Sequence, residues 1–362
     1  MNGILLCHIA NLKDSKMIEH SQPTIEEDDI NAVIETLKSK WIGEGVATND
    51  FVKKMSSYIG VRGGVATCSG TAAIHLALCT LDVSEGDEVI IPSYVCNSLL
   101  HAIYLAKATP RIVDVEERNY NISPDEVEQA VNIKTKAIIV PHMFGKPANL
   151  DELMDLGIPI IEDCAQAIGA YYKNRRVGSI GDLSIFSFGA LKMLTSGEGG
   201  MALSKSREMV EKMQLLKNTQ FEGYRMSDIQ AALGYNQLQK LDDFIKRRKK
   251  IANIYYDILS DYEHLLPEKE NHIFYRFIIK TKGNIQKYIE EALKYRIIIR
   301  QPIAPESLHQ QLNLNRNKYP VTEELMKTLI SIPIYPSLSE SNAIYIASSI
   351  KKLLDTYESH SY

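Results

Sequence analysis

Cysteine is scarce in this chain: five residues (Cys7, Cys68, Cys79, Cys96 and Cys164) among 362, an odd number with no CxxC pair. That excludes a disulfide framework and offers no ligand set for a structural zinc, so no metal is expected and free thiols point to a reducing compartment. No run of about 18 apolar residues occurs, so no membrane-spanning helix is predicted. The apolar patch in the opening "MNGILLCHIANLK" is too short for a secretory signal and has no basic region before it. A cytoplasmic location without a membrane partner is the expectation. Excess positive charge is also missing: the net charge is −4, and no basic stripe with interleaved aromatics argues for nucleic acid. The one dense basic run, Lys246-Arg247-Arg248-Lys249-Lys250, lies in a helical pattern and reads as a solvated helix face. Repeats and low-complexity segments are absent as well.

What is present is an ordinary globular composition, 45% hydrophobic and 24% charged, in a chain long enough for two cores. The first two thirds alternate strand and helix patterns. "GGVATCSG" runs into the helix "TAAIHLALCTL"; the strand "DEVIIPS" follows, then a helix through "SLLHAIYLA". After these come the strand "TPRIVDV", a helix opening at Ser123-Pro124, the strand "KAIIVPH", a helix from Leu150 and the strand "IPIIED". Strands separated by helices of about ten residues predict an α/β fold with a mostly parallel central sheet covered by helices. Beyond Arg225 one long helical stretch, capped by Ser227 or Asp228 and expected to break or bend near Gly234, leads into a strand ("HIFYRFIIKT"), a helix ("IQKYIEEALKY"), a strand ("RIIIRQPI") and a final helix from Ser339. This reads as a large domain over residues 1–240 and a smaller α+β domain over residues 241–362.

Three stretches carry polar residues where parallel strands give way to loops, the edge at which open α/β sheets bind ligands. In "CSGTAA", Gly70 permits close backbone approach and Thr71 offers a hydroxyl beside the free amides of a helix start, a natural phosphate site; alternatively Ser69 or Thr71 is simply a helix cap. In "PIIEDCAQAIGA", Glu162 and Asp163 close an apolar strand, followed by Gln166. A carboxylate there is a metal ligand, a cap or the partner of a protonated ring nitrogen, and no histidine cluster at ligand spacing favours the metal. In "LSIFSFGALKMLTSGEGGMAL", Lys192 stands between two strand-like runs, Leu183–Phe188 and Gly200–Leu203, with Ser187 five residues before it and Gly197, Gly199 and Gly200 behind it. Loss of solvation among apolar neighbours is expected to favour its neutral, nucleophilic amine, and the glycines to make room around a bulky group. The plain alternative is a loop lysine pointing into water. Together the three suit pyridoxal phosphate, which needs its phosphate held, its ring nitrogen paired with an acid and its aldehyde captured by an amine.

These residues resemble those of the DegT/DnrJ/EryC1/StrS sugar aminotransferases, pyridoxal-phosphate enzymes of fold type I. The resemblance extends from about Gln22 to the C-terminal helix, on "SGTAAIHLAL", "GDEVIIPS", "VPHMFGKPANLDEL", "IEDCAQAIGA", "VGSIGDLSIFSF", "KMLTSGEGG", "YRMSDIQAALGYNQLQKLD" and "SIPIYPSLSE". It implies that Lys192 is the Schiff-base and proton-transfer lysine, that Asp163 pairs with the ring nitrogen and that Gln166 lies near the phenolic oxygen. Gly70, Thr71 and Ser187 would hold the phosphate. It further implies a homodimer with shared active sites, in which Gly223, Tyr224 and Arg225 reach the partner's site. The activity implied is amino transfer from L-glutamate, through pyridoxamine phosphate, to a keto-sugar, foremost a nucleotide-linked 3- or 4-keto deoxy sugar in amino-sugar or surface polysaccharide biosynthesis. A non-nucleotide keto-sugar or cyclitol acceptor, or a catalytically silent scaffold, are the alternatives. The dehydratase branch, which has histidine in place of the lysine, is excluded by Lys192. Three positions depart from the pattern. Cys96 stands where an aromatic residue stacks on the cofactor, Gly223 where an asparagine reaches the partner's phosphate, and Gly189 where a bulkier residue is common. Tyr94 and Arg225 of the partner subunit are the groups available to compensate.

Overall fold

A computed structural model describes residues 17–358; the opening patch and Cys7 lie outside them. Seven strands form the central sheet: β1 (Gly63–Thr67), β2 (Glu88–Pro92), β3 (Thr109–Val113), β4 (Thr135–Pro141), β5 (Ile160–Asp163), β8 (Leu183–Ser187) and β9 (Gly200–Ser204), in the order β1-β9-β8-β5-β4-β2-β3. All pairings from β3 to β8 are parallel, whereas β9 runs antiparallel to β8 and β1. Two-residue β6 (Tyr171–Tyr172) and β7 (Arg175–Arg176) pair with each other. The expected α/β architecture is present, and nearly continuous apolar runs such as Val89-Ile90-Ile91 and Ala137-Ile138-Ile139-Val140 are fully buried because helices cover both faces.

Helix Asp228–Ile258 runs 31 residues without interruption. The helix is not broken at Gly234. A Cβ at Gly234 would stand 2.7 Å from the Phe51 ring, so the missing side chain lets helix Val46–Ile59 approach. Ser227 caps the long helix through a capping box with Gln230. Asp228 instead accepts from the N–H groups of Gly45, Ala47 and Thr48 and from the Thr48 hydroxyl, capping the neighbouring helix Val46–Ile59. The long helix passes through residue 240: Leu238 and Leu241 pack with the large sheet, Ile251, Tyr255 and Tyr256 with the second core. The chain later returns to the first core through Leu308, Tyr319 and Leu325.

The basic run on that helix is not wholly solvated. Arg248 is buried and donates to the carbonyls of Phe274, Tyr275 and Ile334. Only Phe277–Lys280 of "HIFYRFIIKT" forms a strand, β10, paired antiparallel with β11 (Leu329–Ile332). Residues 273–276 are irregular because Phe274 has a positive φ of 54° and backbone bonds tie the segment to the turn at 143–145. "RIIIRQPI" likewise makes isolated bridges, Ile297 to Ile18 and Arg300 to Ser331, in place of a strand. The final helix is Glu340–Tyr357, capped by Ser339.

Candidate active site

Helix Gly70–Thr80 starts directly after β1, with Ser69 as its cap: the Ser69 hydroxyl accepts from the Ala72 N–H at 3.1 Å. Ser69 is thereby committed, while the hydroxyls of Thr71 and Ser187 make no hydrogen bond among the described residues. Ser187 ends β8, and a Cβ at Gly70 would lie 2.9 Å from its Cβ and 3.1 Å from its Oγ. A Cβ at Gly200 would lie 2.2 Å from the Ser69 carbonyl oxygen. The glycines after Lys192 thus do something other than clear space for a bulky group. Gly200 lets the helix start sit on β9, Gly199 accommodates Met226 and Ser196, and Gly197 takes a turn with φ of 79°. The outcome is a helix start and a strand end that bring together two uncommitted hydroxyls and helix-terminal amides, suited to an anionic oxygen cluster.

Glu162 and Asp163, adjacent on β5, point to opposite faces and have different environments. Glu162 is fully buried and accepts from the N–H groups of Gly178, Ile180 and Gly181, each at 2.7 Å, and from His142 Nε2 at 3.1 Å. Burial works against its charge, but these donors outweigh it and lower its pKa. The Ala148 N–H donates to His142 Nδ1, which leaves the proton on Nε2. His142, Glu162 and Cys164 lie close enough to hold a metal, yet the histidine and carboxylate are consumed by these bonds, so the group is a structural clamp. The Asp163 carboxyl has one hydrogen bond among the described residues, from the Ala165 N–H at 3.0 Å. Burial raises its pKa, opposed by that bond and then by the charge of Lys192. A buried carboxyl with one donor and a cation nearby fits a protonated ring nitrogen, whereas Glu162 has no capacity left.

Lys192 lies in the β8–β9 connection, which is closed by Phe188 N–H to Gly199 O and Ser196 N–H to Phe188 O. It is half-buried, with Nζ 5.6 Å from the centroid of the Tyr275 ring. The expected lowering of its pKa is not what the surroundings produce. Burial does press downward, but Tyr275, Cys96 and Asp163 outweigh it and the net direction is upward. The same pairing lowers the Tyr275 pKa: burial opposes this, and Lys192, Arg276 and Arg248 override it. Gln166 accepts from the Phe144 N–H at 2.9 Å, which fixes its amide with the NH₂ group left over as donor.

The remaining expected residues are placed differently. Cys96 is exposed. Tyr94 cannot take over from the missing aromatic, because it is fully buried, edge-on to Phe144 with ring centroids 6.3 Å apart. Tyr224 is engaged within its own chain: its carbonyl accepts from the Cys68 N–H, its hydroxyl meets His75 Nδ1 at 2.8 Å, and its ring stacks on Phe221. Gly223 and Arg225 are exposed, and Arg225 pairs with Glu222 at 2.6 Å. Tyr275 and Arg276 were missed by sequence reasoning, which treated "HIFYRFIIKT" as one strand; the signal was the polar Tyr-Arg pair interrupting its apolar run.

A lysine after β8, an acid at the end of β5 and a helix-start anion site on a sheet with one antiparallel strand define a pyridoxal-phosphate-dependent aminotransferase. The chain belongs to the DegT/DnrJ/EryC1/StrS aminotransferase family, whose profile matches residues 23–351. It is 35% identical to the uncharacterized protein MJ1066 of Methanocaldococcus jannaschii, over 92% of this chain and 96% of that one. It is 32% identical to the GDP-perosamine synthase of Escherichia coli O157:H7, over 93% and 98%. The PLP-form of the putative sugar aminotransferase Spr1654 from Streptococcus pneumoniae superposes with a TM-score of 0.87 at 27% identity, covering 94% of this chain and 99% of that one.

Proposed function

We propose that this aminotransferase moves an amino group from L-glutamate to a nucleotide-linked 3- or 4-keto deoxy sugar, and that it works as a homodimer in amino-sugar or surface polysaccharide biosynthesis. The observation that carries this reading is the half-buried Lys192 on the Tyr275 ring, electrostatically coupled to the buried Asp163. The sugar chemistry in the names of its relatives supports the acceptor class. Pyridoxal phosphate supplies an aldehyde that captures amino groups and a protonated ring that withdraws electrons from the attached carbon.

The chain's own residues do the rest. Thr71, Ser187 and the amides at Gly70 hold the phosphate; Asp163 keeps the ring nitrogen protonated; Gln166 donates to the phenolic oxygen. Cys96 lies alongside the ring, where it makes a soft contact in place of stacking. Lys192 Nζ takes the proton from the donor's Cα, and in the second half of the cycle returns one to the sugar carbon that receives the amine. To take a proton it must be neutral, and to return one it must be protonated. Pairing Asp163 with a ring cation removes one of the groups that raise the Lys192 pKa, so cofactor binding itself moves the lysine toward its neutral state.

The dimer is supported by an apolar stripe on helix Glu27–Ser39 and just beyond it: Ile30, Ile34, Leu37 and Trp41 are all exposed at helical spacing. Gly223 and Arg225, also exposed, are the residues proposed to face the partner's site, with Tyr224 anchoring them. The decisive experiment mixes the pyridoxamine form with a panel of 3-keto and 4-keto nucleotide sugars. Return of the pyridoxal absorption marks the acceptor; failure with every nucleotide sugar but success with a free keto-sugar or cyclitol would transfer the assignment to that class.

A further inference from the structure

We propose that Arg276 holds the α-carboxylate of the amino donor, and of the keto acid it becomes, resting on the donor reading given above. Two cations flank the Tyr275 ring: Lys192 Nζ is 5.6 Å and Arg276 Cζ 5.8 Å from its centroid. The ring itself is rigidly delivered. Arg248 binds the carbonyls of Phe274 and Tyr275, the Ile273 N–H donates to Gly145 O, and the Arg276 N–H donates to Phe144 O at 3.2 Å. Phe144 is in turn tied to Gln166. The segment carrying Arg276 is therefore stitched to the same turn that orients a proposed cofactor ligand.

The guanidinium has five N–H donors; among the described residues Nη1 donates to Pro302 O at 3.1 Å and the Tyr275 hydroxyl takes a further side-chain hydrogen bond, which leaves donors over. No carboxylate among the described residues lies within ion-pairing distance of it. Arg248, by comparison, is committed to three carbonyls. A half-buried arginine with N–H donors left over and no acid, whose charge reaches the amine-handling lysine, is a receptor for a planar anion, because its fork matches a carboxylate bidentately. In an amino acid the carboxylate is attached to the very carbon that Lys192 deprotonates. The diphosphate of a nucleotide sugar is separated from the reacting ketone by the sugar ring, so the donor's carboxylate is the better match for a group adjoining Lys192.

The test is binding of 2-oxoglutarate, pyruvate and a nucleoside diphosphate to the pyridoxal-phosphate holoenzyme, measured by titration calorimetry for wild type, Arg276→Gln and Arg276→Lys. Thermal melting and cofactor absorption serve as folding controls. Arg276→Gln is expected to weaken the keto acids about ten- to a hundredfold and to change nucleoside diphosphate binding by less than twofold. Arg276→Lys, which keeps the charge but loses the fork, should fall between. The proposal is overturned if keto acid binding is unchanged in both variants, if wild type binds no keto acid, or if the nucleoside diphosphate is what weakens. A wild type that binds keto acids through Arg276 but does not turn over glutamate would remove glutamate as donor and leave the role of Arg276 standing.

Discussion

Lys192 and Asp163 are opposite charges that burial penalises alike, and each lessens the other's cost. For Asp163 the penalty dominates and its folded pKa lies above the unfolded one. Such a carboxyl stabilises the fold only while protonated; that contribution is full below the ordinary carboxylate pKa and is lost as pH rises through the folded value. The melting temperature of cofactor-free Asp163→Asn should therefore fall less than wild type's as pH is raised from 4 to 8, while its transamination rate falls by orders of magnitude. Near-normal turnover in that variant would remove Asp163 from the ring nitrogen. Lys192→Ala should abolish turnover, and reduction with borohydride followed by peptide mapping should put the pyridoxyl label on Lys192. Cys96 offers a further residue-scale test. Because Tyr94 is locked in the core, nothing on its loop replaces the missing aromatic, so Cys96→Phe should tighten cofactor binding about two- to tenfold, the 0.5–1.5 kcal/mol a stacked ring adds. A Cβ at Gly223 would meet nothing within 4 Å, so Gly223→Asn fits, and unchanged affinity in both variants would mean that other groups already serve.

At the scale of elements, the site depends on how closely two backbones approach. Gly200→Ala would drive a methyl into the Ser69 carbonyl and the Gly70 amide, the latter 2.7 Å away. The helix start must then move off β9 and Ser187. Cofactor affinity is expected to drop at least tenfold in a protein that still folds; an unchanged dissociation constant would show that the helix start is not the phosphate site. Asp228 shows the converse, a side chain joining elements. Asp228→Ala leaves three N–H groups at the start of helix Val46–Ile59 without their acceptor, with an expected cost of about 2–3 kcal/mol in urea unfolding. A cost under about 0.5 kcal/mol would mean water replaces it fully.

Across the whole molecule, the exposed stripe and two buried histidines set the behaviour. Ile34→Asp combined with Trp41→Glu should convert the proposed dimer to a monomer in light scattering and weaken cofactor binding with it; a variant that stays dimeric would place the interface elsewhere. His20 is held neutral, its pKa lowered to about 3 by burial and then by Arg276, Arg300 and Arg248. His272 is also lowered to about 3, by burial and then Lys146 and Lys249. A histidine with a depressed folded pKa contributes stability that is present above its unfolded pKa of 6.5 and lost as pH falls toward the folded value. Stability should therefore decline steadily between about pH 6.5 and 3, and His20→Gln should flatten part of that decline in denaturant titrations.

The sequence by itself determined the parts whose cause is local. Apolar runs between helix-length segments specify parallel strands buried on both faces, and Ser69, Ser123 and Ser339 mark helix starts through bonds to amides three residues on. The places of Asp163, Gln166, Ser187 and Lys192, each at a strand end or in the turn after one, and of Gly70 and Thr71 at a helix start, were legible in the pattern; the roles proposed for them come from the family resemblance, not from the pattern. Tertiary structure decided whatever depends on a distant neighbour. Asp228 caps a helix about 180 residues away in sequence, Glu162 rather than Asp163 takes the loop amides, and Gly234 admits Phe51 without breaking its helix. The same holds for the protonation of Lys192. Its local setting argues for a lowered pKa, but Tyr275 arrives from a distant segment of the chain, and electrostatic energy follows distance in space, not separation in sequence.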